Sequence, residues 1–518
     1  MIVKPALVTM GVMGLAAVFA PALGAAAAES SALCAFRSDF YANAENLDND
    51  ANHERDIAVG VPRSGSGAVD IAFNPGHDGQ RLHVDQSYFD NVAPAGAHDR
   101  FGAAVAYGTF PEQADGSTDA CFDLAIGAPG SDDATGSVLL VHGSTTGLRH
   151  TDAIRLVGAT RGEHFGAAIA TSGPDVFVAA PDRTVAGQQH AGAVDHFVVR
   201  ADGTAQRVGV ITQAAAGIPG GAEPGDQFGR TLAVSGTVLY IGDPDESIGT
   251  ATDAGTVTAV WFDQHKQAVL GTKLLYSQIG NALGGFRAGD RFGAALATPS
   301  EGAVGDVVVG LPGATVNGHA AAGAVQLFAS DTGGASFLAH LLARRTVTQD
   351  SAGVPGASES GDRFGTSVAL TSFQDCFGSD PYGIAVGSPG ESLGSIRAAG
   401  SVTIVAAADP GGRAQQPACQ HAWYQGFAGA GGLGGVARTG DALGTTVGDA
   451  LPWTFGEFDS ESHSAPGFVI GVPGANVTQV VDAGAMIVLE PWGTPTHLAL
   501  ADSAGPSPGE RYGEVRTN

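Results

Sequence analysis

The sequence predicts an all-β fold: a seven-bladed β-propeller of four-stranded blades, its ring closed by a C-terminal strand that completes the N-terminal blade. Three observations lead there. Glycine and proline, 78 and 26 of 518 residues, punctuate a chain that is 44% hydrophobic, the composition of many short strands between turns. Three short marks recur in a fixed order, each of them seven times. That order is circularly permuted, opening on a half-repeat and ending on an orphan mark.

The first mark is an aromatic-Gly pair after an acidic turn, as in Asp99-Arg100-Phe101-Gly102, Glu163-His164-Phe165-Gly166, Asp226-Gln227-Phe228-Gly229, Asp290-Arg291-Phe292-Gly293 and Asp362-Arg363-Phe364-Gly365. Weaker copies stand at Asp441-Ala442-Leu443-Gly444 and Glu510-Arg511-Tyr512-Gly513. The second closes a short apolar run on Gly-x-Pro or a variant of it, ending at Pro62, Pro129, Pro181, Pro244, Pro312, Pro389 and Pro473. The third is a Gly-small-Val that opens another run, at Gly67, Gly136, Gly192, Gly255, Gly323, Gly400 and Gly484, with Met486 in the valine place of the last. From Pro181 onward the second and third marks keep a constant spacing of 11 residues.

The segments between marks, such as Asp123-Leu124-Ala125-Ile126 and Ser137-Val138-Leu139-Leu140, are short and rich in small or β-branched residues, and none sustains a helical period. Each repeat has room for four strands. Such units cannot bury both faces alone, so they must stack, and a closed ring protects their edges. The chain opens on the Gly-x-Pro strand at Asp56 and ends on the orphan Tyr512-Gly513, so the last strand is expected to complete the first blade.

The three series together resemble the FG-GAP repeats that form the N-terminal propeller of integrin α subunits and occur in exported bacterial proteins. The resemblance runs from about Cys34 to Val515. It implies calcium loops between the first and second strands of some blades, of the form D-x-[DN]-x-[DN]-x-x-x-D before an apolar run. Asp48, Asp50, Asn52 and Asp56 fit that form, with the Glu54 carbonyl completing the shell; Asp115, Ser117, Asp119 and Asp123 fit it a second time, with the Cys121 carbonyl. Hard oxygen donors at alternate positions of a curled loop suit Ca²⁺, which takes six to eight of them. His53 and Ala120 stand where the family places glycine. The remaining repeats do not sustain the motif.

The resemblance also implies a binding module that meets an extracellular protein or glycan through one loop face. The Gly/Ala/Pro-rich connections Gln213–Pro224, Asp350–Ser360 and Gly426–Thr439 all precede the aromatic-Gly strand and are expected to form that face, opposite the calcium loops. No inserted ligand-binding domain or C-terminal membrane helix accompanies them in this sequence. The competing reading is an extracellular propeller hydrolase or lyase acting on a polymer. No H-E-x-x-H or nucleophile-elbow motif supports it, and no catalytic residue is assigned.

Charge and targeting narrow the setting. With 25 Lys+Arg against 52 Asp+Glu the formal net charge is −27, which repels nucleic acid and anionic membranes and favours cations. Residues 1–28 read as a secretory signal peptide, leaving 29–518 as a single exported propeller without a membrane span, expected to be monomeric. Four cysteines can make two disulfides by three pairings; Cys34 with Cys121 and Cys376 with Cys419 is the expected one.

Overall fold

The structure is a computed structural model. It describes residues 57–72, 81–92, 95–111, 121–144, 147–277, 285–299, 305–330, 337–372, 382–406, 421–425, 433, 436–450, 467–472, 485–489 and 496–499. The described residues fall in one compact unit, Leu33–Asn518. None of their helices is long and apolar enough to cross a membrane.

The fold is an all-β propeller built of antiparallel sheets in chain order. An N-terminal sheet contains Ile57–Val61, Ala68–Ala72 and Arg81–Val84. Sheet A follows, with Ala104–Gly108, Asp123–Ala128, Ser137–Val141 and Ile154–Val157. Sheet B has Ile169–Ser172, Asp175–Ala180, Ala193–Val199 and Ala205–Ile211, and sheet C has Thr231–Ser235, Val238–Asp243, Thr256–Phe262 and Val269–Leu275. Sheet D runs from Ala295–Ala297 through Val307–Leu311 and Ala324–Ala329 to Leu342–Val347. Sheet E runs from Ser367–Ser372 to His421–Trp423, and sheet F from Val447–Ala450 to Thr496–Ala499.

The expectation of seven four-stranded blades is corrected by this topology. Among the described residues six sheets have four strands, and the N-terminal sheet has three. The reason lies in the permutation: among the described residues the N-terminal sheet begins on its Gly-x-Pro strand, and no aromatic-Gly mark precedes Ile57 in the sequence. The C-terminal segment expected to supply one, at Tyr512-Gly513, lies outside the described residues.

Strand alternation explains how the sheets stack, because successive residues face opposite neighbours. In sheet C, Leu239 and Ile241 join Phe177 and Val194 of sheet B, while Val238 and Tyr240 join Val307 and Val309 of sheet D. Each interface also buries the aromatic of the following sheet's first mark, Phe101, Phe165, Phe228, Phe292 and Phe364, with Leu443 in the last. First strands of consecutive sheets lie against one another along the series.

The glycine marks are the points of closest approach between sheets. Gly67, Gly136, Gly323 and Gly400 form parallel bridges to Phe101, Phe165, Phe364 and Leu443 of the next sheet. At Gly255 the geometry is the same: Phe292 donates its N–H to Ala254 at 3.0 Å, and a Cβ on Gly255 would lie 2.2 Å from the Phe292 carbonyl oxygen. Gly255 also has φ +81°, which an L side chain rarely adopts. Gly249 (φ +63°) has nothing within 4 Å of such a Cβ.

Gly249→Ala should therefore cost only the left-handed backbone, about 1 kcal/mol. Gly255→Ala should cost more than about 3 kcal/mol, because a backbone atom of sheet D must also move. Urea unfolding of the two variants measures the difference, and equal losses would contradict the close-approach account.

Candidate metal centre

The acid of each aromatic-Gly mark has a structural job that its sequence position does not announce. Asp99, Asp226, Asp290, Asp362 and Asp441 are buried, and each accepts the backbone N–H of the residue three before it, at 2.6–2.9 Å. The residue that follows, Arg100, Gln227, Arg291, Arg363 or Ala442, has positive φ and turns the chain into the aromatic. The carboxylate is thereby delivered to the end of the interface with the preceding sheet, beside the Gly-x-Pro turn.

What it meets there differs from sheet to sheet. In sheet B, Glu163 meets Arg183, two residues past Pro181. The guanidinium bonds Glu163 at 2.8 Å and Asp195 at 2.6 Å, and Arg207 approaches Asp195 at 3.6 Å. Burial alone would raise Glu163, but Arg183 and Thr160 outweigh it and hold the carboxyl below its ordinary range. An internal cation closes this pocket. In sheet D, Leu311 stands inside the Gly-x-Pro mark and Ala314 two residues past Pro312, so Asp290 meets apolar residues at both places.

Sheet C has acids in both places. Asp243 ends the strand Val238–Asp243, and Glu246 occupies the position that Arg183 holds in sheet B. Asp226, Asp243 and Glu246 each place a carboxylate oxygen within 4.8 Å of the others; Asp226 and Asp243 are buried, and Glu246 is 8% exposed. Gln213, from the connection after sheet B, donates Nε2 to Glu246 Oε2 at 2.9 Å. Neither oxygen of Asp243, which is 0% exposed, meets a donor; it faces the Glu246 carboxyl, a second acceptor. Thr256, paired across the strands from Asp243, has an unpartnered buried hydroxyl, and the Gln213 amide oxygen is also unpartnered.

Three carboxylates at this separation cannot all be charged in isolation. A pair under 5 Å apart repels by about 3–4 kcal/mol at an effective dielectric constant near 20. Burial pushes Asp226 up to about 7, aided by Glu246 and Glu223 and opposed by the Glu223 N–H. Burial, then Glu246 and Asp226, raises Asp243 well above the carboxylate range; burial also raises Glu246, against the Gln213 amide. The pocket must hold protons or a cation. Donors about 2.3–2.6 Å from one Ca²⁺ lie no more than about 5 Å apart, and carboxylate, hydroxyl and amide oxygens are the hard donors this ion takes. The residues fit it.

Of the residues assigned to calcium from the sequence, Asp48, Asp50, Asn52, Glu54, Asp56, Asp115, Ser117 and Asp119 lie outside the described residues. Cys121 is buried and disulfide-bonded, its partner outside the described residues. Asp123 is buried, with Oδ2 accepting the Phe110 N–H at 2.5 Å and Oδ1 facing the Gly143 N–H at 3.1 Å and His142 Nδ1 at 3.3 Å. As placed, both its oxygens are occupied by donors. Asp226 and Asp243 each stand inside a mark, where the sequence reads them as turn formers, and Glu246 stands two residues past one. The available signal was the interior residue of Gly242-Asp243-Pro244, where other copies carry apolar or small residues.

No family model matches the chain, and no curated protein matches it. Among solved structures, a periplasmic gluconolactonase of Pseudomonas aeruginosa is 14% identical with a TM-score of 0.41, the match covering 87% of this chain and 97% of that one.

The raised Asp226 pKa has a definite sign. Its folded value of about 7 exceeds the ordinary 3.8, so its contribution to stability is fully present below about 3.8 and is lost as pH rises through about 7. In chelator, Asp226→Asn should melt several degrees higher than the parent at pH 8 and no higher at pH 4. Thermal melts at the two pH values test this; an equal effect at both would remove the electrostatic explanation.

Proposed function

We propose that this chain is a calcium-braced, exported β-propeller that acts as a binding module for an extracellular protein or glycan. The observation that carries the reading is the exchange of Arg183 for Glu246 at one position of the repeat. Sheet B neutralises its buried acids with a guanidinium; sheet C collects a third acid there, and a divalent cation supplies the missing charge. The resemblance to FG-GAP repeats and the acidic net charge favour the same class of function.

The pocket also lies under the expected binding face. Gln213 begins the connection Gln213–Pro224 and holds Glu246, while Ile218 of that connection packs on the B/C core and Gly217 accepts the Thr272 hydroxyl at 2.6 Å. A cation at Asp226, Asp243 and Glu246 would fix the root of this loop, and the loop would then meet its partner with less ordering left to do.

Calcium titration by calorimetry should show uptake that strengthens between about pH 6 and 8 with release of protons, since the ligands must ionise. Asp243→Asn should abolish that component. A glycan-array and surface pull-down screen with and without chelator then tests the module: partner capture should fall when calcium is removed. Capture that is indifferent to chelation and to Asp243→Asn defeats the reading.

A second reading, a hydrolase or lyase, is favoured by a cleft of about 500 Å³ between the outer strands of sheets B and C. Buried His196 lines it, with Nε2 2.6 Å from Asp175 Oδ1 and its ring stacked on Phe177; Lys266 Nζ lies 3.2 Å from the other Asp175 oxygen. No Ser, Thr or Cys lines the cleft, so His196 would have to activate water. Turnover of polysaccharides or esters that disappears in His196→Ala, with binding intact, would establish this reading over the first.

A further inference from the structure

Sheet E repeats the sheet C arrangement with a different set of donors. Asp362 belongs to its aromatic-Gly mark and accepts the Glu359 N–H at 2.6 Å. Glu391 lies two residues past Pro389, the position of Arg183 in sheet B and Glu246 in sheet C. Gln349, at the root of the connection after sheet D, donates Nε2 to Glu391 Oε2 at 2.5 Å, as Gln213 does to Glu246. No Arg or Lys is bonded to either acid among the described residues.

The polar atoms left over point to an occupant. Ser388, in the place of Asp243, is 0% exposed and its hydroxyl has no partner. Ser401, paired across the strands from Ser388 as Thr256 is from Asp243, is equally buried and unpartnered, and so is Thr403, two residues on along the same strand face. The amide that grips Glu391 leaves its own Oε1 unpartnered in the same pocket. Unmet buried acceptors of this kind cost about 1–3 kcal/mol each unless water or an ion satisfies them. Two carboxylates neutralise one divalent cation, and hydroxyl and amide oxygens complete a hard, oxygen-only shell.

We propose that sheet E carries a second calcium site, formed by the Asp362 and Glu391 carboxylates with the Ser388 hydroxyl and the Gln349 amide oxygen. It rests on the same cation chemistry as the sheet C reading but on separate residues. It closes the D/E interface as the first closes the B/C interface, two sheets further along the propeller. Burial raises Glu391 to about 7 and Asp362 to about 6, so protons compete with the ion here as well. Tyr424 lies close enough for both carboxylates to raise its phenol, after burial, to about 12.

That tyrosine supplies a local readout. Tb³⁺, which takes calcium sites, emits when excited through a nearby aromatic ring, so the full mature chain can be titrated with Tb³⁺ and read by both emission and bound equivalents. The double variant Asp362→Asn/Glu391→Gln should lose one equivalent and the Tyr424-sensitised emission, and Tyr424→Phe should lose emission while keeping the equivalent. Asp243→Asn should lose a different equivalent, and combining all three substitutions should lose two. Near-ultraviolet circular dichroism identifies any variant that fails to fold; Ser388→Ala, a milder change, should then still weaken the Tyr424-sensitised component. Unchanged stoichiometry and emission in the folded double variant overturn the sheet E site. Unchanged stoichiometry in Asp243→Asn overturns only the sheet C site.

Discussion

The close passage of one sheet's backbone against the next, at the glycine that opens each third strand, is the constraint on which the other features depend. Where Gly255 meets Phe292, or Gly323 meets Phe364, a main-chain bridge or hydrogen bond crosses the interface with no side chain between. The aromatic is then driven into the apolar layer below, and a buried phenylalanine stabilises such a layer by about 1.5–3 kcal/mol. The acid two residues before it has no freedom left. Its position at the end of the interface follows from the bridge, whatever chemistry it finds there.

That explains why one architecture hosts three different pocket chemistries. The bridge fixes the space, and the residue two past the proline decides its charge. Arg183 makes sheet B self-sufficient, Ala314 makes the sheet D pocket apolar, and Glu246 and Glu391 leave sheets C and E with uncompensated carboxylates. Like charges in a buried site are tolerable only as acids or around a cation. The difference between sheets with compensated and uncompensated acids is thus a single substitution class at a single register position.

Most of the fold was legible because it is periodic. The Gly-x-Pro and Gly-small-Val marks fall at the ends and beginnings of second and third strands, as at Asp243 and Thr256, and the buried aromatic of each first mark, or Leu443 in the last, sits at every described interface. The strand total differs because marks count repeats, and the N-terminal repeat has no aromatic-Gly mark in the sequence ahead of Ile57. The pocket was illegible for a different reason. Its donors, Gln213, Asp226, Asp243, Glu246 and Thr256, come from four separate segments, each with a sufficient local explanation as a turn, a cap or a strand end. Asp123 has a spacing that suits a calcium loop and oxygens that accept the Phe110 and Gly143 amides, while the rest of its loop lies outside the described residues.

The two glutamines connect these pockets to the outside of the molecule. Gln213 and Gln349 each begin a long connection between sheets, and each is buried by gripping the glutamate past the following proline turn. Ordering one backbone residue costs about 1–2 kcal/mol, more than one hydrogen bond to a neutral acid returns. A bond to a carboxylate is worth about twice as much, and a cation in the pocket would favour the ionised form of Glu246 and Glu391 that burial disfavours. On the proposed reading, ion occupancy and loop order would be one equilibrium: the charge that filled the pocket would strengthen the grip that roots the adjoining loop.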